Sequence, residues 1–111
     1  MTWLIFDTEA DAQAAELQIR ANVRAFAEQY YPERLSADGG LIGFNAATGE
    51  LCPDAALTTA WAVPTQYAEG WAIPLPSPEQ IHPMLLAQFL LGVKGTEVAD
   101  VTLLPPPEEP V

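Results

Sequence analysis

The stretch WAVPTQYAEGWAIPL, residues 61–75, decides the fold class of this sequence. Large or branched side chains alternate with small or polar ones on both sides of residues 68–70, and this period of two is typical of β-strands. A glycine in the short segment between the two runs favours a tight connection. The stretch therefore predicts an antiparallel hairpin with strands over 61–67 and 71–75.

The loop of this hairpin sets its register. A two-residue turn at 69–70 would place the large residues of the two strands on opposite faces of the sheet. A three-residue loop with Gly70 in the left-handed conformation places them on one face, so we predict that loop. The pairs are then Tyr67 with Trp71, Thr65 with Ile73, Val63 with Leu75, and Pro64 with Pro74 at a non-hydrogen-bonded position.

The N-terminal third predicts a strand followed by a long helix. Residues 2–6 are apolar and aromatic, which favours a buried strand, and Thr8 can cap the helix that follows. Glu16, Arg20, Arg24 and Glu28 lie four residues apart and predict ion pairs within that helix. Pro32 predicts its end. Its buried face is predicted to carry Ala12, Ala15, Ile19, Val23, Phe26 and Tyr30.

Outside these elements, turn residues dominate 36–58, with one short strand predicted at 41–45, and a last strand is predicted over 96–104. The predicted fold class is α+β. A small, mostly antiparallel sheet, made of the N-terminal strand, the hairpin and the late strand, packs on one long N-terminal helix, with a short apolar helix in addition. We expect a single domain over 1–104 and a Pro/Glu-rich C-terminal tail over 105–111.

The short helix, predicted from about Pro83 to Leu91 and ended by Gly92, is apolar on all sides. Such a helix lies either in the middle of the core or at a contact with another chain. We predict that it is at least partly an interface, together with the prolines of the tail. The candidate interface residues are Met84, Leu85, Leu86, Phe89, Leu90, Pro105, Pro106 and Pro107.

The charge balance excludes several function classes. Fifteen acidic residues face four basic ones, for a net charge of −11, and the four bases are scattered along the chain. Direct binding to nucleic acid through phosphates is therefore not expected. No apolar run approaches the roughly 20 residues of a membrane span. The first residues do not resemble a signal peptide, so a cytoplasmic setting is expected.

The residues that carry catalytic chemistry are sparse. Cys52 is the one cysteine and has no basic neighbour in sequence, so we expect an inert thiol. His82 is the one histidine, and it precedes a proline at a predicted helix start, which favours a structural role. We predict no catalytic residue, metal site or cofactor, and hence no enzyme.

One resemblance is carried by GFNAATGE (43–50), PDA (53–55), TTAWAVP (58–64) and GWAIP (70–74). These runs resemble small proteins of tailed phages and prophages that are encoded among tail and lysis genes. The opening LIFDTEA (4–10) is similar as well, so the resemblance covers about residues 3–76. It implies a phage setting and a role in the tail or particle, and it carries over no site residues.

Two functions follow as expectations. The first is a non-enzymatic virion component (tail, baseplate or capsid accessory) or a tail-assembly factor. Such a protein would bind phage structural proteins, or a second copy of itself, in the host cytoplasm and would not bind a membrane. The second is an acidic inhibitor of a host defence complex that mimics nucleic acid, in the manner of anti-CRISPR proteins. The acids are spread evenly along the sequence, which favours the first.

Overall fold

Two antiparallel sheets flank one long helix in the computed structural model, which describes residues 2–37 and 39–101. The predicted α+β class is confirmed, with the long N-terminal helix packed on the antiparallel sheet. The elements are β1 (Trp3–Phe6), α1 (Glu9–Tyr30), β2 (Leu41–Asn45), β3 (Glu50–Leu57), β4 (Thr65–Tyr67), β5 (Gly70–Pro74), α2 (Pro83–Phe89) and β6 (Thr96–Val98), with short 3₁₀ turns at Pro32–Arg34 and Ala60–Ala62. The four-stranded sheet has the order β4-β5-β1-β6, and β2 pairs with β3 in a separate hairpin.

The first helix forms as its sequence predicts. Thr8 is the N-cap, and its hydroxyl accepts a hydrogen bond of 3.1 Å from the backbone N–H of Asp11. The helix ends at Tyr30, two residues before Pro32. Tyr30 was predicted on the buried face but is 54% exposed, and Ala27 is buried instead. The buried face consists of Ala12, Ala15, Ile19, Val23, Phe26 and Ala27.

Both halves of α1 contribute buried residues to the hydrophobic core. The N-terminal half of the helix packs on β1 and β5 through Ile19 and smaller residues. The C-terminal half packs on β2, β3 and α2, where Phe26 meets Phe44 and Phe89 with ring centroids 5.9 and 5.6 Å apart. One amphipathic helix therefore joins the four-stranded sheet to the β2–β3 hairpin.

The predicted register of the 61–75 hairpin is wrong by one residue. Tyr67 pairs with Gly70, so the loop is Ala68-Glu69, and β4 begins only at Thr65. Gly70 does not have a positive φ. A Cβ on Gly70 would lie 2.5 Å from the carbonyl oxygen of Phe6, so the glycine is needed for the close approach of β1. The other observed pairs are Gln66 with Trp71 and Thr65 with Ala72.

The error has a physical cause. The prediction required the large residues of both strands to share one face. In the structure Ile73 lies on the face that packs on α1, whereas Tyr67 lies on the opposite face, which has an apolar cluster of its own. Pro64 precedes β4, and Pro74 pairs with Trp3 of β1 rather than with Pro64.

Strand β3 was not predicted, because Pro53-Asp54 indicated a turn. The register of β2 and β3 shifts between Ile42 and Phe44, and the intervening Gly43 has φ +73°. Proline is tolerated at such bulges, because the ladder is interrupted there. The late strand is confirmed over Thr96–Val98; residues 99–101 are not in a strand, and residues 102–104 of the prediction lie outside the described residues. The predicted tail, with Pro105, Pro106 and Pro107, lies outside the described residues.

Candidate protein-binding surface

The second helix starts at a cap supplied by His82. The Nδ1 atom of His82 accepts a hydrogen bond of 3.2 Å from the backbone N–H of Met84, and Pro83 occupies the first turn. The backbone N–H of His82 donates to the carbonyl of Ala46 at 2.8 Å, which ties the start of α2 to the β2–β3 hairpin. His82 thus has the structural role that the sequence predicted.

The inner side of α2 belongs to the core. Phe89 is fully buried and packs edge-on against Phe26, so this residue of the predicted interface is not accessible to a partner. Leu85 and Leu86 are half-buried against the cluster around Phe89, and Leu90 is half-buried against the cluster around Ile19. The structure therefore places these leucines at the border between core and surface.

The outer side of α2 and of the turn after it carries exposed apolar side chains. Met84 is 77% exposed and Leu91 is 65% exposed, and Ala87 between them is exposed as well. Met84 and Ala87 are three residues apart and lie on one side of α2, and Leu91 lies in the turn that follows the helix. No Asp, Glu, Lys or Arg occurs between Glu79 and Lys94. We call Met84, Ala87 and Leu91 the α2 outer face.

The C-terminal end of α2 is held by a side chain that sequence reasoning missed. The side-chain amide of Asn22, in the middle of α1, donates to the backbone carbonyls of Phe89 and Leu91 at 2.7 Å each. Gln18 donates to the amide oxygen of Asn22 at 2.9 Å and so orients it. In the sequence, Gln18 and Asn22 lie four residues apart, a spacing that indicates a hydrogen bond between two side-chain amides on one helix face. The sequence did not identify the segment that Asn22 would bind.

No family model matches this chain. Curated proteins and solved structures give no match to it either. The α2 outer face is therefore interpreted from its own geometry and chemistry.

A cavity of about 630 Å³ lies between α1 and the 92–96 segment. Its polar and charged lining side chains are those of Asp7, Asp11, Gln18, Lys94 and Thr96. Within residues 2–37 and 39–101, no three His, Cys, Asp or Glu side chains converge as a metal site would require. No helix in this part of the chain is long and apolar enough to cross a membrane.

Two of the four basic residues are used inside α1, as predicted. Arg20 pairs with Glu16 at 2.9 Å and Arg24 with Glu28 at 3.0 Å. Arg20 also donates to the hydroxyl of Thr59, a buried residue that precedes the second 3₁₀ turn. These arginines stabilise the chain's own structure.

Proposed function

We propose that this protein is a non-enzymatic binding protein that contacts another protein through the α2 outer face. The observation that carries the proposal is that the apolar side chains of Met84, Ala87 and Leu91 are exposed and lie in a segment without charged residues, on a chain of net charge −11. Exposed contiguous apolar surface on a small domain is typical of contact sites. Met84 lies in the first turn of α2. Its flexible and polarizable side chain can adapt to a partner's surface.

The class of partner is supported by the sequence resemblance. Residues 3–76 resemble small proteins of tailed phages, and we therefore propose that the partner is a phage structural protein. The protein would then act as a virion component or as a tail-assembly factor. A second copy of this chain is the other partner that an uncharged helix face fits.

The acidic residues give less support to the mimicry of nucleic acid. Exposed acids occur on several elements. Asp7, Glu9 and Asp11 lie at the start of α1, and others are Glu28 near its end, Glu50 at the start of β3, Glu79 before α2 and Glu97 in β6. A mimic that occupies a nucleic-acid groove would present its charges along one continuous surface. We therefore place the contact on the uncharged α2 outer face.

The test replaces Met84 with a photo-crosslinking amino acid in the cells that produce the protein. A matched chain carries the same group in place of Leu17 on α1, which is exposed to a similar extent, 68% against 77%. We expect position 84 to crosslink to one discrete protein and position 17 to give no such product. Equal products from both positions, or none from position 84, would contradict the proposal.

Mass spectrometry of the crosslinked product and of purified particles separates the roles. A stoichiometric amount in particles identifies a virion component, whereas a crosslink to a tail protein without incorporation identifies an assembly factor. A crosslink to a host nucleic-acid-binding complex would favour the inhibitor function instead. Met84→Asp should abolish the interaction without unfolding the domain, because Met84 is solvent-exposed, and Leu17→Asp should leave it unchanged.

A further inference from the structure

The last strand is attached to the fold more weakly than the other strands of its sheet. β6 is a three-residue strand at the edge of the sheet, and it pairs with β1. Each of β1, β4 and β5 contains at least one buried side chain, whereas β6 contains none. In the segment 93–101, which we call the β6 strap, Val93, Val98 and Val101 are half-buried and the other residues are exposed. Little apolar burial therefore stabilises the attachment of this segment.

The polar contacts between the β6 strap and the rest of the fold are made by its backbone. They are the ladder with β1 and a hydrogen bond of 3.0 Å from the N–H of Val93 to the carbonyl of Leu90. Within residues 2–37 and 39–101, no side-chain hydrogen bond or ion pair joins the strap to another element. The carboxylate of Asp100 accepts from the N–H of Val101 at 2.9 Å, inside the strap itself. The strap can therefore leave the sheet without breaking a side-chain network.

The chain is held firmly just before the strap begins. The side-chain amide of Asn22 binds the carbonyls of Phe89 and Leu91, which fixes the end of α2 to α1. Gly92 follows directly and has φ +76°, a conformation that residues with a side chain rarely adopt. A glycine next to a fixed point can absorb a large backbone rotation, and such element-terminal positions are typical of hinges. Gly92 is therefore the position about which the strap can rotate.

The β6 strap covers β1 on both faces of the sheet. A Cβ on Gly95 would lie 2.9 Å from the ring of Phe6, so the strap lies directly on this ring. On the other face, Val98 packs against the cluster that contains Trp3. Residues 92–96 also form one wall of the cavity of about 630 Å³, and α1 forms another. Displacement of the strap would therefore expose the edge of β1 and widen this cavity.

We propose that the β6 strap is a gate that opens as one unit about Gly92 while both helices and the other strands stay folded. Opening costs little because it breaks a three-residue ladder and exposes only half-buried valines. In the open state β1 is an edge strand, whose free N–H and C=O groups are a template for pairing with an extended segment. The closed strap covers this edge, so the position of the strap controls access to β1 and to the cavity.

The direct test is amide hydrogen exchange by NMR on the full chain, at several urea concentrations below the unfolding transition. The amides that donate between β6 and β1 should exchange at least about 100-fold faster than those between β1 and β5, with one shared, weak dependence on urea. β4 is the internal control, because it is also a three-residue edge strand but contains the buried Tyr67. Its amides should exchange more slowly than those of β6.

Two outcomes of this experiment would overturn the proposal. If the β6 amides have the rates and the urea dependence of the β1–β5 amides, the strap opens only when the whole domain unfolds. If the rates rise progressively along 93–101 with no shared urea dependence, the segment frays residue by residue and is not a gate.

A pair of full-length variants tests the hinge. Gly92 and Gly49 both have φ +76°, and a Cβ would meet nothing closer than the Gln18 side chain at 3.7 Å in the first and nothing within 4 Å in the second. Alanine strains the left-handed conformation at either position, so Gly92→Ala should accelerate exchange in the β6 strap about tenfold relative to β4. Gly49→Ala should leave the strap unchanged. Unchanged strap exchange in Gly92→Ala, or equal acceleration in both variants, would contradict the proposal, and the wild-type rates decide the case if Gly92→Ala fails to fold.

Discussion

The two helices differ in how much of their environment is specified by their own residues. In α1 the buried residues recur every three or four positions and the remaining positions are largely small or polar, so the sequence alone indicates the inner side. In α2 the buried Phe89 and the exposed Met84 are both apolar. An amphipathic helix thus specifies its buried face, whereas an apolar helix leaves that choice to its tertiary contacts.

The largest effect is expected for the two sides of α2. Phe89→Ala should lower the free energy of unfolding by about 3–5 kcal/mol, because it opens a cavity between Phe26 and the β2–β3 hairpin. Met84→Ala should change it by less than about 0.5 kcal/mol, because that side chain is solvent-exposed. Urea denaturation followed by circular dichroism measures both. Similar losses in the two variants would mean that α2 has no distinct outer face.

The same comparison within α1 uses two neighbouring aliphatic residues. Ile19 is fully buried and Leu17 is exposed, although they are two positions apart. Ile19→Ala should lower the free energy of unfolding by about 2–5 kcal/mol. Leu17→Ala should have an effect within about 0.5 kcal/mol of zero. A large loss in Leu17→Ala would indicate that this side of α1 is covered in solution.

A smaller effect is expected where α1 holds α2. Asn22→Ala removes the donor to the carbonyls of Phe89 and Leu91 and should cost about 1–2 kcal/mol. The specific readout is amide hydrogen exchange: relative to the wild type, Asn22→Ala should increase the exchange rate more in α2 than in α1. Gln13→Ala is the control, because Gln13 bonds only to Glu9 within α1. Unchanged exchange in α2 would argue against the role of Asn22.

The smallest effect is expected at the start of α1. Thr8→Ala removes the side-chain cap and should lower the free energy of unfolding by about 1 kcal/mol. Thr8→Ser keeps a capping hydroxyl and should retain most of the wild-type stability. Thermal denaturation of the three proteins is sufficient. If Thr8→Ala matches the wild type, α1 is stabilised by packing alone, and the contrast with α2 becomes weaker.

The parts of the fold that were predicted correctly depend on local patterns. Thr8, the periodic apolar residues and Pro32 fixed the limits of α1 to within a residue or two. Alternation over 61–75 indicated a hairpin, but its register depended on which residues lie on each face. Because both faces of the sheet carry apolar clusters, alternation could not decide the register.

The candidate site was predicted only in part. Met84 and the half-buried leucines were identified from composition, but Phe89 was included although it is in the core. Asn22 was missed because its partners lie 67 and 69 positions away, at Phe89 and Leu91. Strand β3 was missed because a bulge accommodates Pro53, and a bulge depends on the partner strand.

The sequence by itself determined the α+β class, the capped amphipathic helix and the uncharged segment between Glu79 and Lys94, because each depends on residues close together in the chain. The tertiary structure decided which side of α2 is exposed, how β4 pairs with β5, and that β1 has apolar residues packed on both faces. These features depend on which surfaces meet after the chain folds, and contacts between distant residues leave no periodic signal in either segment alone.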